Sequence, residues 1–378
     1  MLKPRVKNVH NPVRLPDGTI RIGSMQFGIG SEIRTNDNDA VWRVLELMDG
    51  TQTAPEIDSV LRQRRPDLEA GTGEDIIDSL VEAGFAEEGA PVETTLSLDA
   101  QQRYSRARSF YAWIDTVPRV SPWYAQERLR DASVAVIGLG GAGSAVAVNL
   151  VSAGIGKLTC VDCDVVDLSN LNRQLLYSSA DVGRSKTLAA LERLQLINPE
   201  CVLEGREQRV ESEADIVDLM TDVDLFILCA DQPEPRQICA WTNAAALITG
   251  TPWLMSFYAG PMVVVGAQQP GITPCYECLR HWAELDGKID DGRGALDPEL
   301  RVNAVIGPSA SIAGSFAALE AIYLLAGLKP QTLGRIFHQS LTSYDYMYWV
   351  DGEVWDDCHA CGGGQRMSTR RTEMLGRH

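Results

Sequence analysis

Two groups of residues have the types and spacing that chemistry requires. The first is a glycine cluster, Gly138, Gly140, Gly141 and Gly143, directly after the apolar, β-branched run Ser133–Ile137 and opening a small-residue stretch over Ala142–Val151. A strand, a glycine turn and a helix in that order aim backbone N–H groups and the positive end of a helix at a phosphate. Asp162 ends the next apolar run, Lys157–Val161, about where a dinucleotide-type unit places the acid that holds ribose hydroxyls. With Asp164 it could equally cap a turn, and the glycine pattern alone would also suit a nicotinamide enzyme. The second group is two Cys-x-x-Cys pairs, Cys275/Cys278 and Cys358/Cys361. Two such knuckles supply the four thiolates of a tetrahedral structural zinc. His359 then stands beside the site, because four sulfurs close the shell. A redox pair or plain buried thiols are the alternatives.

The stretch from Asp162 to Gln174, DCDVVDLSNLNRQ, is followed by DVGRSK over 181–186. The two together resemble the ThiF/MoeB family, relatives of the ubiquitin-activating enzymes, in its D-x-D-x-V-x-x-S-N-L-x-R-Q and D-[VI]-G-x-x-K signatures. Cys229-Ala-Asp231, Arg236 and the two cysteine pairs continue the likeness, which covers roughly Gln101 to Gly363. Members of that family adenylate a C-terminal carboxylate with a nucleoside triphosphate. The resemblance therefore implies ATP and Mg²⁺. It assigns the glycines Gly138, Gly140, Gly141 and Gly143 to the phosphates, Asp162 to the ribose and Arg173 to the β- and γ-phosphates. Lys186 would neutralise charge on the α-phosphate, Asp231 would hold Mg²⁺, and Asn170 and Gln174 would make polar contacts to nucleotide or loop. Tyr104-Ser105-Arg106 resembles a family segment whose arginine reaches the nucleotide of the neighbouring subunit, so Arg106 and a homodimer are implied; Ala107 stands where the family has glutamine.

The elements that must position these groups read as an α/β fold, a Rossmann-like mixed sheet with helices on both faces. Ahead of it, residues 1–90 read as a small separate domain. Pro16-Asp17-Gly18 separates two short extended runs, as a hairpin turn does. Helices follow over Ala40–Met48, Thr53–Arg62 and Gly73–Ala83, and a strand starts at Gly84-Phe85-Ala86. The pattern suggests a winged helix, similar to the PqqD-like domains that hold leader peptides. A nucleic-acid role is excluded by its third helix, where Glu74, Asp75, Asp78 and Glu82 would repel phosphates. Residues 91–100 read as a linker and 101–363 as the adenylation domain, with a helix over Gln101–Asp115. A mobile crossover loop is expected over 285–300, a nearly all-apolar buried helix over Ser309–Gly327, and a disordered tail over 364–378.

A net charge of −17 argues against nucleic-acid and membrane surfaces. No apolar run reaches spanning length and no signal peptide is evident, so a cytoplasmic protein is expected. Nine cysteines, four of them paired as above, fit reduced surroundings and metal binding better than a disulfide framework. Many relatives pass the acyl group to a cysteine in the crossover loop, yet no cysteine lies between Cys278 and Cys358. The reading is thus adenylation of a carboxylate on a peptide or small protein during peptide natural-product maturation, the acyl-adenylate being used directly by a nitrogen nucleophile. Activation of a ubiquitin-like sulfur carrier is the alternative. An NAD-dependent oxidoreductase is more distant, since it leaves Arg173, Lys186 and the cysteine pairs without a role, and intact Lys186 and Asp231 count against a non-catalytic scaffold.

Overall fold

Turn chemistry and helix caps shape the first part of the chain. The computed structural model describes residues 3–23, 28–90, 93–288 and 304–362. Most of the expected crossover loop and the expected tail lie outside them. Two compact units are present, Met1–Glu127 and Arg128–His378. The first contains β1 (Pro4–Val6), β2 (Val13–Arg14), β3 (Ile20–Ile22), β4 (Ser31–Ile33), α1 (Asn38–Leu47), α2 (Ala54–Arg64), α3 (Thr72–Glu82), β5 (Ala86–Glu88), α4 (Leu98–Arg103) and α5 (Ser105–Ile114). Gly18 takes a positive φ in the expected turn, and Asp17 accepts from the Thr19 N–H. β2, β3 and β4 form an antiparallel sheet, and β1 pairs with β5. Asp37 caps α1 and a Thr53/Glu56 capping box opens α2. Ile20, Ile22, Val44, Ile57, Leu61 and Ile77 share one buried cluster, so the helices' apolar stripes meet the small sheet.

Three features differ from expectation. β1 and β4 are additional, each too short to leave a periodic signal. The expected helix over 101–115 is two helices, broken at Tyr104, which buries its ring with Leu96, Ala100 and Trp123. The units also part at 127/128 rather than within 91–100. Both α4 and α5 lie in the first unit, where buried Lys7 donates to the Asp115 carbonyl at 2.6 Å.

After α6 (Tyr124–Asp131), the second unit runs β6 (Ser133–Ile137), α7 (Gly141–Ala153), β7 (Lys157–Val161), α8 (Lys186–Ile197), β8 (Val202–Arg206), α9 (Glu213–Met220), β9 (Leu225–Leu228), α10 (Pro235–Thr249), β10 (Trp253–Ala259), β11 (Met262–Gln268), α11 (Tyr276–Leu285), α12 (Gly307–Leu325), β12 (Arg335–Ser340) and β13 (Met347–Val350). They build one eight-stranded sheet in the order β13-β12-β11-β10-β9-β6-β7-β8. The stretch from β8 to β10 is parallel and that from β10 to β13 antiparallel, the mixed sheet expected. β6, β7 and β9 are apolar nearly throughout and buried, because helices cover both faces: α7, α8 and α12 on one, α9, α10 and α11 on the other. The chain leaves β6 toward β7 but later returns to β9 on its other side. The loops after β6 and β9 therefore diverge at a switch point, where open α/β sheets bind ligands.

The apolar helix α12 is long enough to cross a bilayer, but it packs on α7, β10 and β11. Its one acid, Glu320, is buried and accepts from the Thr332 N–H and hydroxyl at 2.6 and 2.7 Å. Gly314 lets α12 approach α7: a Cβ there would overlap the Ala142 carbonyl and come 2.7 Å from the Ala145 Cβ. Backbone cannot step aside as a side chain can, so Gly314→Ala should destabilise the protein by about 1–3 kcal/mol, seen as a lower denaturant midpoint. An unchanged midpoint would show that the two helices are not held at this spacing.

Candidate active site

The glycine turn is dictated by close contacts. Gly138 leaves β6 at φ 84°, donating its N–H to the Val161 carbonyl, and a Cβ on it would lie 2.8 Å from the Cys229 carbonyl oxygen. A Cβ on Gly141 would lie 2.6 Å from that of Ala310, and one on Gly143 would overlap the Gly138 carbonyl. Gly140 has open space instead, its nearest neighbour being Gln174 Nε2 at 3.8 Å. Packing thus explains three of the glycines, and access for a ligand explains the fourth. α7 starts here, so its unpaired N–H groups face the same opening.

Asp162 fixes the turn from the next strand. Its Oδ2 accepts from the Leu139 N–H at 2.7 Å and its Oδ1 from the Asp164 N–H at 2.8 Å. Burial holds this carboxyl above its usual range, opposed by the nearby Lys186 ammonium. Lys186 is the first residue of α8, which Ser185 caps. Its buried Nζ donates to Asp164 Oδ2 at 2.8 Å, and that bond pulls the Asp164 carboxyl below the ordinary range. An ammonium has three donors, so two remain for a ligand. Arg173 is held through Nη1 by the Ser169 carbonyl at 2.9 Å and Asn172 Oδ1 at 3.0 Å, while its buried Nε has no partner among the described residues. Gln174 is buried with an equally unpartnered Oε1. Asn170 accepts from the Asp167 N–H at 3.1 Å and so shapes the turn it was expected to lend to a ligand.

Gly138, Gly140, Gly141, Asp162, Asn170, Arg173, Gln174, Lys186 and Asp231 all line one cavity of about 520 Å³, a volume suited to a small-molecule ligand. Gly143 sits behind it as packing, and Arg236 is an exposed position of α10 outside the lining. Arg106 is exposed on α5, in the first unit. The lining also includes residues that the sequence did not single out: Ser256 and Tyr258 on β10, and Gln208 and Arg209 beyond β8. Residues 208–210 are loop, which brings Arg209 to the opening. No local signal marks these four, because strand register and a loop path place them.

The four paired cysteines converge. Cys275 precedes α11, Cys278 lies in its first turn, and Cys358 and Cys361 follow β13. Sulfur–sulfur distances are 3.7 Å for Cys275–Cys278, 3.7 Å for Cys275–Cys358 and 3.6 Å for Cys278–Cys361. A tetrahedral zinc with bonds of about 2.3 Å needs sulfurs about 3.8 Å apart, so the donor set fits that ion. The Trp355 N–H, 3.4 Å from Cys278 Sγ, supplies the outer hydrogen bond such thiolates attract. Asp162, Cys163 and Asp164 also cluster, but both carboxylates are engaged as above.

The other five cysteines are poor nucleophiles. Burial pushes Cys160, Cys229 and Cys239 up to about 12 and Cys201 to about 11. Cys163 lines the cavity, and its thiol is also raised, chiefly by desolvation. Burial and desolvation thus disfavour, at each of the five, the thiolate that acyl transfer needs.

Comparison with known proteins gives this geometry a family. The ThiF family model matches residues 104–352. The sulfur carrier protein ThiS adenylyltransferase of Escherichia coli K12 is 35% identical over 211 residues, 54% of this chain and 76% of that protein. The molybdopterin-synthase adenylyltransferase of the same strain is 36% identical over 215 residues, 56% of this chain and 80% of that one. Among solved structures, E. coli MccB superposes with a TM-score of 0.78 at 21% identity, covering 95% of this chain and 96% of that chain. It has also been solved with ATP and, described as a microcin C7 biosynthetic enzyme, with N-formylated MccA, at TM-scores of 0.74 in both cases. At such identity the likeness to MccB is one of fold. The family match spans well over half the sequence, and on it this chain belongs to the ThiF family and is an adenylyltransferase.

Proposed function

We propose that this chain uses ATP and Mg²⁺ to adenylate a carboxylate on a peptide, as a step in peptide natural-product maturation. The observation that carries the reading is the meeting of the Lys186 ammonium and the unpartnered Arg173 Nε–H with a glycine turn and a helix N-terminus in one cavity. Such a place suits a polyphosphate. The Gly138–Gly141 turn admits the phosphates against backbone, Asp162 takes the ribose hydroxyls, and Arg173 takes the β- and γ-phosphates through its planar fork. Lys186 neutralises charge growing on the α-phosphate. Asp231, just past the end of β9, holds Mg²⁺, which needs only one or two protein carboxylates. Gln174 and Asn170 complete the polar wall.

The step is an exchange at the α-phosphorus. A carboxylate oxygen bonds to it, the bond to the bridging oxygen breaks, and pyrophosphate leaves with the electron pair. Placement and charge neutralisation supply the catalysis. In this reading the acyl-adenylate goes directly to a nitrogen nucleophile, which bonds to the acyl carbon, loses a proton and releases AMP.

The reach of the likenesses favours a peptide over a sulfur carrier. The ThiS and molybdopterin-synthase adenylyltransferases of Escherichia coli align over 54–56% of this chain, whereas the fold of MccB, solved with N-formylated MccA, is shared over 95% and so includes the first unit. In this reading the first unit holds the peptide's leader through a PqqD-like winged-helix surface, and Arg106 serves the neighbouring subunit of a homodimer. A sulfur carrier stays as the second reading because the ThiS adenylyltransferase, at 35% identity, carries that name. Structural zinc in the four-cysteine cluster ties the segment after β13 to α11.

Arg173→Ala and Lys186→Ala should each lower pyrophosphate release by about 10²–10³, Arg173→Ala with little change in unfolding midpoint and Lys186→Ala with a lower one, since Asp162 loses an opposing charge; activity near wild type in either would end the assignment. Metal analysis of unchelated protein should find one zinc per chain, and Cys278→Ser should lose both the metal and solubility, whereas metal-free native protein would refute the site. Intact-mass spectra taken during turnover with ATP and a peptide substrate should show no acyl group on the protein. A hydroxylamine-sensitive adduct on any cysteine would overturn direct use of the adenylate.

A further inference from the structure

Ser256 is fully buried, yet its hydroxyl has no hydrogen-bond partner among the described residues and it lines the cavity. Burying a hydroxyl without a partner is unfavourable, and alanine or glycine would fill the same place without that cost. Side chains alternate along β10: Trp253, Met255 and Phe257 join the core beside α9–α11, so Ser256 and Tyr258 point to the other face. That is the face of the glycine turn, and the Tyr258 hydroxyl lies 3.3 Å from where a Gly141 Cβ would be.

The strand order fixes which part of a substrate reaches Ser256. Asp162 follows β7, the glycine turn follows β6, Asp231 follows β9, and Ser256 is on β10, the next strand across. On the proposed reading ribose, phosphates and Mg²⁺ occupy the first three positions in that order. The group that attacks the α-phosphorus is left the β10 end. Gln174 Oε1, the other buried and unpartnered oxygen of this wall, accepts only, while a hydroxyl both donates and accepts.

We propose that Ser256 determines specificity on the acyl side of the cavity, hydrogen-bonding a polar side chain on the terminal residue of the substrate. The preferred substrate then ends in a residue with an amide or hydroxyl group rather than in glycine or an aliphatic residue. This inference rests on the adenylation reading, and its test separates the two.

The probes are aminoacyl sulfamates of adenosine, stable mimics of an acyl-adenylate, in near-isosteric pairs: threonyl against valyl, and asparaginyl against leucyl. Calorimetry on the full-length protein should show the polar member of at least one pair binding about tenfold tighter. In Ser256→Ala that ratio should fall toward one while AMP affinity stays unchanged. The unfolding midpoint of Ser256→Ala should not drop, since the hydroxyl has no partner among the described residues; a hydroxyl with a structural role would lower it. Equal ratios in wild type and variant, or preference for valyl and leucyl, would overturn the proposal and leave adenylation intact. Failure of AMP and of all four mimics to bind would overturn both.

Discussion

The hydrogen bonds that the Asp162 carboxylate accepts from Leu139 and Asp164 are the joint on which the site depends. One fastens the glycine turn after β6 to the end of β7; the other fastens the loop that carries Lys186's partner. Parallel strands alone would bring the two strand ends close without fixing the loops. A desolvated carboxylate resists this position, and the Lys186 charge and two backbone donors offset part of that cost. The same residue therefore sets the geometry of the phosphate side and, through Asp164, the position of the ammonium. In a chain of net charge −17, such local arrangement is what lets an anionic ligand approach.

Cations at the site are held by partial rather than full pairing. Lys186 spends one of its donors on Asp164, which is more than half exposed and screened by water. Arg173 is steered by a carbonyl and an amide oxygen, neither of them charged. The neutral partners of Arg173 orient the guanidinium and leave its charge available, and the Lys186–Asp164 ion pair engages one of the three ammonium donors. The three-residue helical turn at Leu168–Asn170 supports this, because its capping contacts present Ser169 and Asn172 to the guanidinium.

Much of this was legible in the sequence, for physical reasons that differ by element. Ser133–Ile137, Lys157–Val161 and Leu225–Leu228 are nearly all apolar because both faces are covered, so each reads as a buried strand. The glycines and the run from Asp162 to Lys186 are local in sequence, and their spacing survives folding. Short strands such as β1 and β4 gain their stability from partners distant in the chain, and nothing within three residues announces them. Tyr104 breaks a helical pattern because its ring is buried with Leu96, Ala100 and Trp123, a tertiary preference over a local one. Ser256 and Arg209 were illegible for a related reason. A serine in an apolar strand points to either face depending on register, and residues 208–210 have strand-like composition but continue as loop after β8.

The two halves of the sheet divide the work. Its parallel half, β8 to β10, presents strand ends at which helix N-termini and glycine turns gather. Its antiparallel half, β10 to β13, leads to α11 and the four cysteines, whose close approach needs the chain to return past β13 before the cluster can form. β10 belongs to both, pairing parallel with β9 and antiparallel with β11. On the proposed reading a metal held by the four cysteines would fix the far end, and β10 is the strand that joins that half of the sheet to the cavity wall at Ser256 and Tyr258. The nucleotide-facing groups sit on loops tied by Asp162, while the wall opposite them sits on β10, where Ser256 and Tyr258 pair with Val265 and Val263 of β11. On the proposed reading this is a sensible division: the triphosphate needs loops with free backbone donors, and discrimination of the acyl group needs a surface that does not yield.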